Sequence, residues 1–219
     1  MVINTIILRL LFPLGAVGAG ILAEHHQWGV LNNISTQSLF IKSILIILSI
    51  LWLDLCIYIQ HILFHKVPIL WKLHRVHHAD QDLDVTSGTR FHTLEMILSM
   101  IYKTIIIMIC GISPLAVLLF EIILNGMALF NHSNLYILPK LEKCLRYFIV
   151  TPDMHRIHHS IHPKEAHSNF GFNLSWWDYI FSSYTAKSKE NQNTMTLGDP
   201  HATQHTKQSL FWLLIYPFK

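Results

Sequence analysis

The pattern His-Arg-x-His-His occurs twice in the sequence, as His74-Arg75-Val76-His77-His78 and as His155-Arg156-Ile157-His158-His159. On an α-helix, residues at i, i+3 and i+4 share a face, so each copy would present three imidazoles together. His61 and His65 form a further i, i+4 pair, and His132 stands alone in Phe130-Asn131-His132-Ser133-Asn134. Neutral imidazole is the commonest metal ligand, and its second ring nitrogen needs a partner of its own. A single such pair is more often a solvated surface feature than a ligand set. Three clusters, two of them with the same internal spacing, point to metal. A tetrahedral zinc takes four ligands, so nine candidates suit two ions better than one. Imidazole accepts iron, zinc, copper or nickel, and residue type alone does not choose among them.

The remaining histidines read differently. His25 and His26 fall in a polar loop, His201 and His205 in a polar tail, and His162 and His167 trail the last cluster. His92 could be a tenth ligand or a structural contact with Glu95 or Arg90. Asp54, Asp153 and Asp178 are candidate acceptors for ligand N–H groups, although each is more often a surface or capping residue.

The elements that must hold these side chains are apolar. Of 219 residues, 52% are hydrophobic and only 13% charged, with a mean hydropathy of +0.38. That charge share is about half the usual one for a soluble domain. The net charge of +3 and the lack of a basic stripe give no reason to expect a nucleic-acid partner. Cys56, Cys110 and Cys144 are scattered beside apolar runs and read as small hydrophobes, neither a disulfide framework nor a zinc knuckle. Four apolar runs stand out: Ile3–Ala23, Leu39–Ile59, Met96–Cys110 and Leu115–Phe130. The first is long for a signal core and ends in a poor cleavage site, so it reads as a retained helix. The second is long enough to span ~30 Å of hydrocarbon. The last two, about 15 residues each and separated by Gly111-Ile-Ser-Pro114, read as a helical hairpin entering the bilayer. Lys103, midway along the third run, must snorkel or face the protein interior.

Of the 16 Lys and Arg residues, 14 lie after His61 and none between Glu24 and Ile41. By the positive-inside rule the loop at 24–38 faces outward, and the histidine-rich segments face the cytoplasm. The expectation is an all-α integral membrane protein. It has about four membrane-embedded helices, two spans plus a hairpin, and a cytoplasmic histidine-rich helical cap. One domain then divides into membrane helices over 1–60, a first histidine region over 61–94 and the hairpin over 95–130. A second histidine region over 131–185 and a tail over 186–219 complete it.

The series His61-Ile-Leu-Phe-His65, His74–His78, Asn131–Asn134 and His155–His159, followed by Ser168–Tyr184, resembles the fatty acid hydroxylase/sterol desaturase superfamily, especially its compact bacterial members. The likeness runs from about Asp54 to Tyr184. It implies a non-haem di-iron membrane enzyme of a bacterial inner membrane that uses O2 and two electrons to hydroxylate or desaturate a lipid, fatty acyl or sterol-like. By position it assigns His61, His65, His74, His77, His78, His132, His155, His158 and His159 to iron. Some relatives carry another histidine where this chain has Ala128, which leaves room for His92, Asn131 or a water. The ending Phe-Gly-Thr-Tyr common in the family is Phe181-Ser182-Ser183-Tyr184 here. The chain has no haem-attachment motif, cysteine cluster or GxGxxG. A separate electron donor, a ferredoxin or cytochrome b5-type protein with its reductase, is therefore expected, and Lys140, Lys143 and Arg146 are candidates to dock it. The rival classes are a zinc transporter or sensor without oxygenase activity, a bis-histidine haem protein, and a lipid scaffold without turnover.

Overall fold

The computed structural model describes residues 2–34, 36–202 and 208–219. Among these residues it is all-helical, with two isolated backbone bridges, Ile149–Leu174 and Ser160–Leu197, and no strand. Four helical segments are long and apolar enough to cross a membrane: Ile3–His25, Leu39–Lys66, Thr93–Cys110 and Pro114–Asn131.

The chain forms two compact units, one of Met1–Ile57 with Thr93–Ile123 and the other of Tyr58–His92 with Leu124–Lys219. In the first unit the opening apolar run is two helices, α1 (Val2–Leu11) and α2 (Gly15–His25), not the continuous one the sequence suggested. The cause lies in Pro13, which has no N–H to donate, followed by Gly15 at a φ of 57°. The buried side of α2 consists of Ala16, Gly18, Ala19, Gly20 and Ala23. Small residues let helix backbones approach closely. The turn after α2 meets the turn at Gly111: a Cβ added to Gly29 would lie 2.1 Å from the Gly111 nitrogen, so neither turn has room for a side chain.

Helix α3 (Leu39–Lys66) starts in the first unit and ends in the second. The hairpin helices, α5 (Thr93–Cys110) and α6 (Pro114–Asn131), have 18 residues each, or about 27 Å. They are longer than the apolar runs because Thr93, Glu95 and Asn131 extend them with polar turns. Gly111 ends α5 at a φ of 70° and Pro114 opens α6. Lys103 is buried and forms an ion pair with Glu121 of α6, so the interior option holds over snorkelling.

In the second unit Val67 is extended ahead of Pro68, and this corner separates α3 from α4 (Pro68–His78). Helices α7 (Pro139–Leu145), α8 (Pro152–His158), α9 (Pro163–Ala166), α10 (Trp176–Ile180) and α11 (Leu210–Ile215) follow. Each of α7, α8 and α9 opens on a proline, as the first helical position allows.

Candidate metal centre

The eight histidines singled out by spacing and the isolated His132 converge in the second unit as two buried groups. His61, His65, His74, His78 and His158 form one, and His77, His132, His155 and His159 the other. Within each group one ring nitrogen per residue lies within 4.8 Å of all the others. The groups adjoin, with the His78 and His159 rings stacked at 4.4 Å. In the group of four, Nε2 atoms face one another: His77 to His132 at 3.2 Å, His132 to His155 at 3.0 Å and His155 to His159 at 3.2 Å.

Three rings are oriented by the main chain. Nδ1–H donates to the carbonyl oxygen of Phe170 from His61 (2.8 Å), of Ser168 from His158 (2.8 Å) and of Ala128 from His132 (2.7 Å). A carbonyl can only accept, so the proton sits on Nδ1 and the Nε2 lone pair is left for a cation. The imidazoles of His77, His78, His155, His158 and His159 are held well below their ordinary pKa by burial first and then by one another. His132 is lowered to about 4, again by burial, with the Ala128 carbonyl opposing the shift. These rings are therefore neutral, the form that binds metal.

The donor set fits metal ions. Nε2 of His78 and His158 and both ring nitrogens of His65 are buried without a hydrogen-bond partner in the protein. Burying a polar atom unpaired costs several kcal/mol in general, roughly 1–3 on protein scales. A cation held by each group would remove that cost.

The loop at 168–171 carries two of the orienting carbonyls, and it is held by Asp178. The carboxylate accepts from the Phe170 N–H (2.8 Å), the Gly171 N–H (2.8 Å) and the Ser183 hydroxyl (2.6 Å). Burial raises the Asp178 pKa to about 6 against the pull of these bonds. Asp178 thus acts on His61 and His158 through the backbone and does not accept from a ring N–H as the sequence suggested. Asp153 is engaged through its carbonyl oxygen by Gln192, and Asp54 is buried in the first unit. Asn169, at a φ of 52°, donates to the carbonyls of Met154 and Thr185 and fastens the same loop to α8. The Asn131 amide donates to the Phe172 carbonyl at 2.7 Å.

The other histidines lie outside both groups. His92 Nε2 is 3.2 Å from the Leu214 carbonyl. His162 pairs with Glu190, and His26 stacks on Trp28. His167 is exposed, its ring 5.6 Å from that of His65. His201 is exposed, and His205 lies outside the described residues.

Sequence reasoning missed two supports. Gly88 is the first: a Cβ there would lie 2.6 Å from the Ala128 oxygen and 3.1 Å from His132 Nδ1, so only glycine lets this turn approach α6. The second is the tail. Gly198 N–H donates to the His159 carbonyl at 2.9 Å, and Gln208 to the Ala79 carbonyl at 2.7 Å. Arg75 donates to the carbonyls of Tyr216 (2.5 Å) and Lys219 (3.1 Å) and lies 4.2 Å over the Tyr216 ring. Val76 and Ala79 are buried with Ala202, Trp212 and Tyr216. A tail that reads as polar therefore clasps both histidine motifs. Arg146, considered for docking a carrier, is buried against Glu142, which leaves Lys140 and Lys143 as the exposed cations.

Comparison with known proteins bears on this centre. The family model described as fatty acid hydroxylase matches residues 46–183, more than half of the chain and a stretch that includes all nine histidines. The chain is 28% identical over 140 residues to the ornithine lipid hydroxylase OlsE of Rhizobium tropici, covering 64% of this chain and 41% of that protein. It is 26% identical over 147 residues to the alkylglycerol monooxygenase of Homo sapiens, covering 65% and 31%. With the cholesterol 25-hydroxylase of Homo sapiens it shares 24% over 144 residues, covering 65% and 52%. The chain thus spans about a third to a half of the length of these relatives. No solved structure matches it.

Proposed function

The chain belongs to the fatty acid hydroxylase family, and from that premise we propose that it is a di-iron, O2-dependent membrane oxidoreductase that hydroxylates or desaturates a C–H bond of a lipid. The observation that carries the reading is the pair of adjoining, buried, all-imidazole groups. His61, His65, His74, His78 and His158 would hold one iron, and His77, His132, His155 and His159 the other. Iron there would supply the activation of O2 that an unreactive C–H bond requires. The protein's own contribution is positional. The carbonyls of Ser168, Phe170 and Ala128 fix three rings, and Asp178 fixes the loop bearing the first two. Burial keeps the imidazoles neutral and keeps bulk water from the reacting atoms.

Hydroxylation of R–H by O2 consumes two electrons and two protons and yields R–OH and one water. The chain has no motif for a redox cofactor that could supply those electrons. A ferredoxin or cytochrome b5-type carrier with its reductase fills that role. Bis-histidine haem ligation would leave most of the nine rings without purpose. The relatives act, by their names, on ornithine lipid, alkylglycerol and cholesterol, so a membrane lipid, fatty acyl or sterol-like, is the substrate class. The distribution of Lys and Arg supports a centre on the cytoplasmic face, and the likeness to compact bacterial members supports a bacterial inner membrane as its setting.

Purification of the full chain without oxygen, followed by metal analysis, is expected to return two irons per chain. Lipidomics of cells with and without the protein is expected to reveal an oxygen-dependent hydroxylated or desaturated lipid. A chain that carries only zinc and leaves the lipids unchanged overturns the proposal in favour of transport or sensing.

A further inference from the structure

Outside the four long apolar helices, the second unit exposes large apolar residues at Ile69, at Val85, near the C-terminus at Leu210, Phe211 and Phe218, and most densely on two segments, 135–148 and 176–181. Tyr136 (76% exposed), Leu141 and Phe148 (55%) belong to the first, and Trp176, Ile180 (63%) and Phe181 to the second. The segments are joined. Trp176 Nε1 donates to the Tyr147 carbonyl at 2.9 Å, the Tyr147 and Tyr179 rings stack at 6.2 Å, and Ile149 bridges Leu174. In α10 it is Asp178 that is buried while Ile180 is open, the reverse of a helix facing water. A face of this kind marks an interaction surface.

Its depth follows from α3. The Phe181 ring stacks on Tyr58 at 5.5 Å, and the Tyr58 hydroxyl lies 2.8 Å from Ser183 Oγ. Helix α3 has 28 residues, about 42 Å, which exceeds the hydrocarbon layer by about 12 Å. Tyr58 precedes the end of α3 at Lys66 by that same ~12 Å, so it stands where hydrocarbon gives way to headgroups. The first segment begins at Leu135, just after α6 ends at Asn131. Trp and Tyr concentrate at that boundary, and Lys140 and Lys143, exposed on the same segment, are placed to meet anionic headgroups.

We infer that residues 135–148 and 176–181 form one shelf, continuous with the end of α3, that binds the lipid surface at the level where acyl chains meet headgroups. The inference rests on the exposed face and its contact with α3, and it stands apart from the oxygenase reading. Its test uses the full chain in nanodiscs of phosphatidylcholine and phosphatidylglycerol, with Cys56, Cys110 and Cys144 replaced by alanine. Bimane is attached at Leu141→Cys, Phe148→Cys and Ile180→Cys, with Lys164→Cys and Lys187→Cys as exposed controls. Nitroxide-bearing lipid is expected to quench the three shelf sites several-fold more than the controls, and iodide the controls more than the shelf. On the unaltered chain, a membrane-partitioning aryl azide should label 135–148 and 176–181 and spare 186–194. Iodide quenching of the shelf sites equal to that of the controls overturns the inference. So does shielding from both quenchers, which would mean that another protein or a second copy covers the face.

Discussion

The two copies of His-Arg-x-His-His have the same imidazole spacing and divide their rings in opposite ways. In α4, His74 and His78 go to the group of five and His77 to the group of four. In α8 and its cap, His155 and His159 go to the group of four and His158 to the group of five. Helix geometry supplies the reason. Position i+3 falls about 60° to one side of i and i+4 about 40° to the other, so one stripe has two flanks. Two such stripes that face each other, as His77 and His78 face His159, can each give one flank to either group. The copies are not two sites. Each one bridges both.

Their supports differ as well. Both arginines are half-buried, but Arg75 clasps the C-terminal segment through two carbonyls and the Tyr216 ring, whereas Arg156 makes an exposed hydrogen bond to Asn134 at 2.8 Å. The α8 copy also has a capped helix start, where Thr151 accepts from the Met154 N–H, and the Asp178-held loop that orients His158.

The strongest way to break the bridging picture is ring removal. His77→Ala, one ring of the first copy, and His158→Ala, one of the second, are each expected to abolish oxygen-dependent lipid modification and to lower bound metal. Normal product from either variant, measured by mass spectrometry of cellular lipids, would refute it. Acidification comes next. Because the folded values lie below the ordinary imidazole value of about 6.5, these rings favour the folded, metal-free chain above that pH. The contribution fades as pH falls towards the folded values, about 4 for His132. Protons and metal compete for the same ring nitrogens, so acidification is expected to release metal and destabilise the fold together, in one step for both groups. Two separate release steps, seen by metal analysis across a pH series, would mean that the groups are independent.

Asp178→Asn sharpens the contrast in supports, since it loosens the loop serving His61 and His158 and leaves α4 untouched. Supports of this kind are worth roughly 10–100-fold in metal affinity. Chelator competition should find that loss mainly in the group of five. Arg75→Ala removes a charged, half-buried pair of hydrogen bonds and is expected to cost about 2 kcal/mol in unfolding free energy, whereas Arg156→Ala costs under about 1. Equal losses in denaturant titrations would remove the asymmetry. The smallest effect is Ser182→Gly. Ser182 has a φ of 57°, where an L-residue pays about 1–2 kcal/mol, so glycine there should stabilise the fold by about 1 kcal/mol without moving the ligands.

The grouping of the spaced histidines was legible in the sequence, because i, i+3, i+4 spacing is a local property of any helix that carries them. The supports were not legible. Asp178 and Phe170 are eight residues apart, yet their bond depends on a turn that no periodicity encodes. Gly88 meets Ala128 across 40 residues, and Arg75 meets Tyr216 across 141. The break at Pro13 could have been read from the proline itself, but the surrounding run is so apolar that hydropathy masked it.

The sequence by itself determined that the chain is helical and apolar, and that eight imidazoles fall on short stripes with a ninth, His132, standing alone, since those are consequences of side-chain type and of a 3.6-residue turn. Only the tertiary structure decided that the rings split five to four, that carbonyls and not carboxylates orient three of them, and that residues of 198–202 and 208–219 hold the motifs in place. Those outcomes depend on contacts between residues distant along the chain, which the spacing within any one segment cannot specify.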